Sequence, residues 1–411
     1  MDAYTYIIIG GGLAGGKAVD GIREEDEEGR IALITREPHR PYHRPPLSKG
    51  YLLGKEPEAE VYVAEADYYT DNRVTLFMET EATSIDPQTH TVILDDNRVL
   101  SYDKLLLATG GKAKRLDLPG SDLGNVFTLR TIEDSDHIRD AQAPAQQALV
   151  LGGSFIGSEV AAGLAMMGEE VTMAFPESRL LERIVPQAMS EWLHEAYAAH
   201  NVRILPGITP ERLLGGSQVE RAELSNGALP KVDLVVMGVG ITLNTGLAEE
   251  AGLETRDGDN ALLVNQLLQT SDPDVYAAGD IAAWPDPTFE KRLRVEHWDV
   301  AYNQGLQAGR NMAGAGEVYE VLPYFFSDLF DLSFEVWGDL SAWDQTVQRG
   351  DLARRSAAFY YFDEGKLTGV LAMGRPEEER EAMQQLVQAK PQHRDVAEQL
   401  RDESLDLAKL L

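Results

Sequence analysis

An apolar run, Tyr6-Ile7-Ile8-Ile9, ends at Gly10 and passes straight into Gly10-x-Gly12-x-x-Gly15. A run without polar alternation predicts a strand buried on both faces, and Val19 and Ile22 behind the last glycine predict a helix. The spacing carries a specific chemistry. Gly10 allows the tight turn, Gly12 lets the backbone approach a pyrophosphate, and Gly15 lets the helix pack close to the strand. Leu13 and Ala14 belong to the same phosphate-facing turn, where free N–H groups and the positive dipole end meet the anion.

The design recurs in Ala148-Leu-Val-Leu-Gly-Gly-Ser-Phe-Ile-Gly-Ser-Glu159. Here Gly152, Gly153, Ser154, Phe155, Ile156 and Gly157 form the turn, with Ser154 at the middle glycine position. Ile156 stands where a serine-hydrolase elbow needs its last glycine, so that reading is rejected. Two adenine-dinucleotide sites in one chain predict a flavoprotein reduced by a pyridine nucleotide. Two ordinary glycine-rich turns are the plainer alternative.

Carboxylates and cations follow at telling places. The strand Arg30 to Thr35 ends at Glu37, either the acceptor for the ribose hydroxyls of the first dinucleotide or a solvated loop acid. Pro45 and Pro46 predict a stiff extended segment that holds Arg44 for a phosphate and Lys49 beside a flavin ring, where a fixed cation favours negative charge on the reduced ring. Glu177, 20 residues after Gly157, is placed to accept the second ribose hydroxyls and to favour NADH over NADPH; Arg179 works against that preference. Gly279-Asp280 ends a further strand, with Asp280 offered to the FAD ribityl chain. Gly240 follows the buried run that starts at Val232. Short strands at Val74 to Phe77 and Thr91 to Leu94 predict a small sheet completing the first domain. Residues 376–411 predict two surface helices.

Composition narrows the function. The chain has 411 residues, enough for two or three domains, and no cysteine, which excludes dithiol redox chemistry and Cys-ligated clusters in this chain. The net charge of −31 opposes binding to nucleic acid and anionic membranes and complicates docking of an acidic ferredoxin. No run reaches the roughly 18 apolar residues of a membrane span, and the chain enters a strand too early for a signal peptide, so a cytoplasmic protein is expected. The histidines show no metal-ligand spacing, and no metal site is expected.

The block Arg44-Pro-Pro-Leu-Ser-Lys49 resembles the FAD-dependent ferredoxin reductases of oxygenase systems and apoptosis-inducing factor, and the resemblance runs through nearly the whole chain. It implies an α/β fold of glutathione-reductase-like architecture, with two Rossmann-type dinucleotide-binding domains, for FAD and NAD, and a C-terminal α+β domain. The expected division is 1–110 with 244–317 for FAD, 111–243 for NAD, and 318–411 at the C-terminus. By the same resemblance Ala108-Thr109-Gly110 closes the FAD site and Glu296-His297 lies close to the flavin. His297 either titrates there or is an ordinary hydrogen-bonded histidine at a helix start. Glu159 would pair with Lys49, Phe155 would lie at the nicotinamide face, and Phe326 would replace the tryptophan that other members set against the flavin. The implied activity is transfer of a hydride from NADH onto flavin N5 and passage of electrons to a [2Fe–2S] ferredoxin, in a monomer or homodimer. An NADH-responsive redox sensor like apoptosis-inducing factor, or an NADH oxidase or quinone reductase, is the alternative.

Overall fold

A computed structural model describes residues 2–142, 146–391 and 393–411. The chain forms two compact units, one taking the segments through His43, Glu58–Lys112 and Thr242–Pro323, the other Arg44–Pro57, Ala113–Ile241 and Tyr324–Leu411.

In the first unit the strand Asp2–Ile9 lies between Ile31–Ile34 and Val99–Leu107, parallel to both. Ile8 sits beside Leu33 and Leu106, and all three side chains are fully buried, as the unbroken apolar run requires. Val74–Phe77 extends this sheet in parallel beyond Ile31–Ile34, and Thr91–Leu94 joins it antiparallel to Val99–Leu107. The short strands therefore belong to the main sheet, where a separate small one was expected. The long strand Val99–Leu107 makes this possible: its first half pairs with Thr91–Leu94 and its last residues pair in parallel with Val275–Ala277.

The helix Leu13–Glu25 packs against Trp298–Met312 at backbone distance. A Cβ at Gly305 would lie 2.3 Å from the Ala14 carbonyl oxygen, and one at Gly309 would lie 2.2 Å from that of Ala18. These two glycines fix how closely the helix behind the first glycine turn is held.

In the second unit a parallel sheet runs in the order Val202–Pro206, Glu170–Phe175, Gln147–Leu151, Leu234–Met237, Val126–Thr128. As in the first unit, the strand preceding the glycine turn is central. The segment Pro45–Ser48 is a 3-10 turn, not the extended segment expected, with Lys49 N donating to the Pro46 carbonyl at 2.9 Å. Proline's fixed φ suits the first helical positions, where its missing N–H costs nothing. Ser135 Oγ on the helix Ile132–Gln142 donates to the Leu47 carbonyl at 2.9 Å and Tyr51 Oη donates to Asp136 at 2.8 Å, which pins the turn.

The C-terminal antiparallel sheet runs Tyr324–Leu329, Leu332–Gly338, Lys366–Met373, Ser356–Asp363, Gln345–Asp351. The expected tail helices are Glu377–Ala389 and His393–Arg401, and they dock more deeply than a surface pair would. Leu386 and Leu400 are fully buried. The buried Arg349 donates to Glu379 at 2.9 Å and to the Leu405 carbonyl at 3.0 Å, anchoring helix and tail together.

Gly305→Val should destabilise the protein by about 1–3 kcal/mol or prevent folding, because the new side chain meets backbone that cannot yield. Thermal melting checks this, and an unchanged midpoint would mean that the two helices tolerate separation.

Candidate functional site

Both glycine turns are built by contacts that exclude a side chain. Gly10 has φ 125°, and a Cβ there would lie 2.1 Å from the Ala108 carbonyl oxygen. Gly152 has φ 126° and would clash in the same way with Gly238, at 2.2 Å. The third glycines stack on the first: a Cβ at Gly15 would lie 2.0 Å from the Gly10 carbonyl oxygen, and one at Gly157 would lie 2.3 Å from that of Gly152. Gly12 differs, since a Cβ there would meet nothing within 4 Å and would point into open space before the helix. That space is the cradle a phosphate needs.

The helices behind these turns, Leu13–Glu25 and Phe155–Met166, have no side-chain cap and no acid in the first turn. Their leading N–H groups are left for an anion, and no carboxylate repels it. Ser154 is exposed and leaves its helix uncapped, so the departure from glycine keeps the site available. The residues present therefore fit two dinucleotides.

Other first-unit residues gather at the same end of the parallel strands. Thr109 Oγ1 donates to the Asn244 carbonyl at 2.6 Å, and Asn244 Nδ2 donates to the Thr109 carbonyl at 2.9 Å, while Asn244 N donates to the Gly110 carbonyl at 2.9 Å. Gly279 N donates to Gln304 Oε1 at 2.9 Å, and a Cβ at Gly279 would lie 3.3 Å from that of Ala14. Asp280 follows, half-buried. Glu37, beyond the second strand, accepts a hydrogen bond from the buried Tyr42 hydroxyl. Glu296 is ion-paired with Arg294 at 2.6 Å and is partly exposed.

His297 caps the helix Trp298–Met312 through its backbone, its carbonyl accepting from Ala301 N at 3.0 Å. Burial pulls its pKa from the usual 6.5 to about 4, so it is neutral at physiological pH. His297 thus stands at the helix start. Its neighbour Trp298 donates from Nε1 to His43 Nδ1 at 2.9 Å, and burial lowers His43 as well.

The second unit brings together the residues of the charged pair. Lys49 Nζ lies 2.8 Å from Glu159 Oε2, with Lys49 18% and Glu159 5% exposed. Ser48 Oγ donates to the same carboxylate at 2.5 Å and Ser327 Oγ at 2.7 Å. The Phe326 ring centroid is 5.7 Å from Lys49 Nζ. Phe155 packs edge-on against Phe325 with centroids 5.0 Å apart. Arg44 donates to the Arg130 carbonyl. Glu177, just past the strand Glu170–Phe175, keeps a half-exposed carboxylate 3.9 Å from the exposed Arg183. Arg179 is turned to Glu182, donating to its side chain at 3.2 Å and its carbonyl at 2.9 Å, so it is engaged away from Glu177. Gly240 has φ 91° and open space about it.

Residues 4–305 match the pyridine nucleotide-disulphide oxidoreductase family, and residues 324–411 match the reductase C-terminal family. The chain belongs to the pyridine nucleotide-disulphide oxidoreductases. Members of this kind use FAD and NAD(H). The ferredoxin–NAD(+) reductase component of the anthranilate 1,2-dioxygenase system of Burkholderia cepacia is 34% identical over 86% of each chain. The ferredoxin reductase for the CYP199A2 system of Rhodopseudomonas palustris superposes with a TM-score of 0.93 at 31% identity, covering all of both chains. Putidaredoxin reductase, in its covalent complex with putidaredoxin, superposes with a TM-score of 0.93 at 30% identity, over 100% of this chain and 98% of that one. Despite the family's name this chain contains no cysteine, so disulphide exchange has no place in its chemistry.

Sequence reasoning missed Tyr42, Asn244, Gln304, Gly238 and Ser327. Two of them carried a signal: Gly238, two residues before Gly240 at the end of a buried strand, and Ser327, next to Phe326 in the segment that the family resemblance singles out. The others are ordinary polar residues: the partners of Asn244 and Gln304 lie far off in sequence, and Tyr42 reaches Glu37 five residues away without any motif to mark it.

Gly12→Val should leave the melting of the FAD-free protein unchanged and weaken FAD binding at least about tenfold, because the side chain fills the cradle and touches no protein. Fluorescence titration with FAD checks this; equal affinity would remove the cradle from the site.

Proposed function

We propose that this protein is an NADH-dependent flavoprotein reductase whose electron acceptor is a [2Fe–2S] ferredoxin. The observation that carries the reading is the Lys49–Glu159 pair in a chain that also has two uncapped glycine turns. The names of the relatives, reductase components of oxygenase systems, support the acceptor class. The division proposed is an FAD-binding domain of 1–110 and 244–317, an NAD-binding domain of 111–243 and a C-terminal domain of 318–411. A cytoplasmic location goes with the reading.

Bound FAD would supply the redox chemistry, the capacity to accept a hydride and to release electrons one at a time. The chain's residues bind and orient. Gly10, Gly12 and Gly15, with Leu13 and Ala14, would offer backbone to the FAD pyrophosphate. Glu37, steadied by Tyr42, would accept from ribose hydroxyls, and Asp280 would accept from the ribityl chain. Ala108, Thr109 and Gly110 would close one side, locked by Asn244. Arg44 would meet a phosphate, and Glu296, His297 and Phe326 would border the ring.

In the second domain Gly152, Gly153, Ser154, Ile156 and Gly157 would take the NAD pyrophosphate, with Gly240 leaving room beside them. Glu177 would accept from the ribose hydroxyls and repel a 2′-phosphate. The Phe155 ring would shield the nicotinamide from water. Lys49, a cation held by a buried carboxylate, would favour negative charge on the reduced ring, with positioning supplying most of the acceleration. No side chain need act as acid or base.

Lys49→Ala should retain FAD and slow anaerobic reduction by NADH by roughly tenfold or more, the scale of a lost electrostatic donor; an unchanged rate would remove the pair from the mechanism. Wild-type protein should be reduced faster by NADH than by NADPH, and a clear preference for NADPH would overturn the role of Glu177. Rapid cytochrome reduction that requires added ferredoxin is the expected acceptor result. Fast oxygen or quinone consumption without ferredoxin would replace this reading with an oxidase or quinone reductase.

A further inference from the structure

Three segments far apart in sequence converge on one buried carboxylate. Glu159, on the helix Phe155–Met166, is 5% exposed, Ser48 is 3% exposed and Ser327 is fully buried. Ser48 Oγ and Lys49 Nζ both donate to Glu159 Oε2, at 2.5 and 2.8 Å. Ser327 Oγ, on the strand Tyr324–Leu329, donates to Oε1 at 2.7 Å.

We propose that Ser327 is a positioning residue for Lys49, acting through the plane of the Glu159 carboxylate. This rests on the role given to Lys49 above. The terminal torsion of a glutamate is broad and roughly two-fold, and because its two oxygens turn together, each added donor narrows that torsion. Ser48 and Lys49 share one oxygen. The Ser327 hydroxyl holds the other from a different element of the chain, gives that oxygen its donor and narrows the torsion further. A lysine ammonium is a point charge on a flexible four-carbon stem, so its place is set by the atom it binds. A fixed carboxylate therefore gives a fixed ammonium. The C-terminal sheet, through Ser327, thus takes part in aiming the cation that the turn Pro45–Ser48 presents.

The test uses FAD-loaded protein and compares Ser327→Ala, Ser327→Cys and Ser327→Thr with Ser48→Ala and Lys49→Ala. The midpoint potential of bound FAD and the anaerobic reduction rate at saturating NADH are both measured. Ser327→Ala should keep full FAD content, shift the potential to more negative values, and lower the saturating rate roughly tenfold, the scale of one hydrogen bond to a charged group, with KM for NADH unchanged. Ser327→Thr should restore both readouts. Ser327→Cys, close in size and a weak donor, should fall between and covers the case in which alanine does not fold. Ser48→Ala should do less than Ser327→Ala, since Lys49 and Ser327 then still hold one carboxylate oxygen each.

Wild-type potential and rate in Ser327→Ala or Ser327→Cys, alongside a slow Lys49→Ala, would overturn this inference and leave the role of Lys49 standing. A wild-type rate in Lys49→Ala would overturn both.

Discussion

The structure depends on glycines that let a helix N-terminus come up against the end of a parallel strand. At Gly10 and Gly152 the positive φ and the nearness of the Ala108 and Gly238 carbonyls leave no space for a Cβ. At Gly15 and Gly157 the helix lies directly on the preceding turn. The consequence is electrostatic: a dipole end with unsatisfied N–H groups is offered where a phosphate can reach it. In a chain of net charge −31, such local sites have to act against the overall field. Short-range N–H donation does this where a diffuse surface charge cannot.

A second constraint concerns charge inside the protein. Lys49 and Glu159 are both substantially removed from water, and a buried pair repays its desolvation only when its remaining hydrogen-bonding capacity is met. Ser48 and Ser327 meet it for the carboxylate. The ion pair is thus part of a network that spans the proline turn, the helix after the second glycine motif and the C-terminal sheet. Arg349 follows the same rule farther off, where one buried guanidinium answers a carboxylate and tail carbonyls together. The tail reads as charged and superficial from its residues, yet it is tied to the interior.

Local pattern made the parallel strands legible, because Tyr6 to Ile9 and Ala148 to Leu151 are apolar without interruption and stop at glycine. It misjudged Pro45–Ser48, where prolines suit a 3-10 turn as well as an extended chain and the contacts from Ser135 and Tyr51 decide between them. The strands Val74–Phe77 and Thr91–Leu94 had correct extents, but their membership of the main sheet depends on the length of Val99–Leu107, a tertiary matter. Asn244 and Gln304 gave no signal because a hydrogen bond to a distant backbone leaves no spacing to read, and Tyr42 gave none because its near neighbour Glu37 is met through a loop with no motif. Pairing of Lys49 with Glu159 could be anticipated only from the family resemblance. Nothing in the spacing of two residues so far apart points to it.

The central claim is that one polypeptide holds two different dinucleotides. The most direct measurement is the stoichiometry of tightly bound FAD, released by denaturation and quantified, together with calorimetric titration of the same preparation with NAD(+). The account predicts one FAD per chain and one further NAD(+) site on the FAD-loaded protein. A chain that takes up no FAD on reconstitution, or that binds NAD(+) only by displacing FAD, would contradict it.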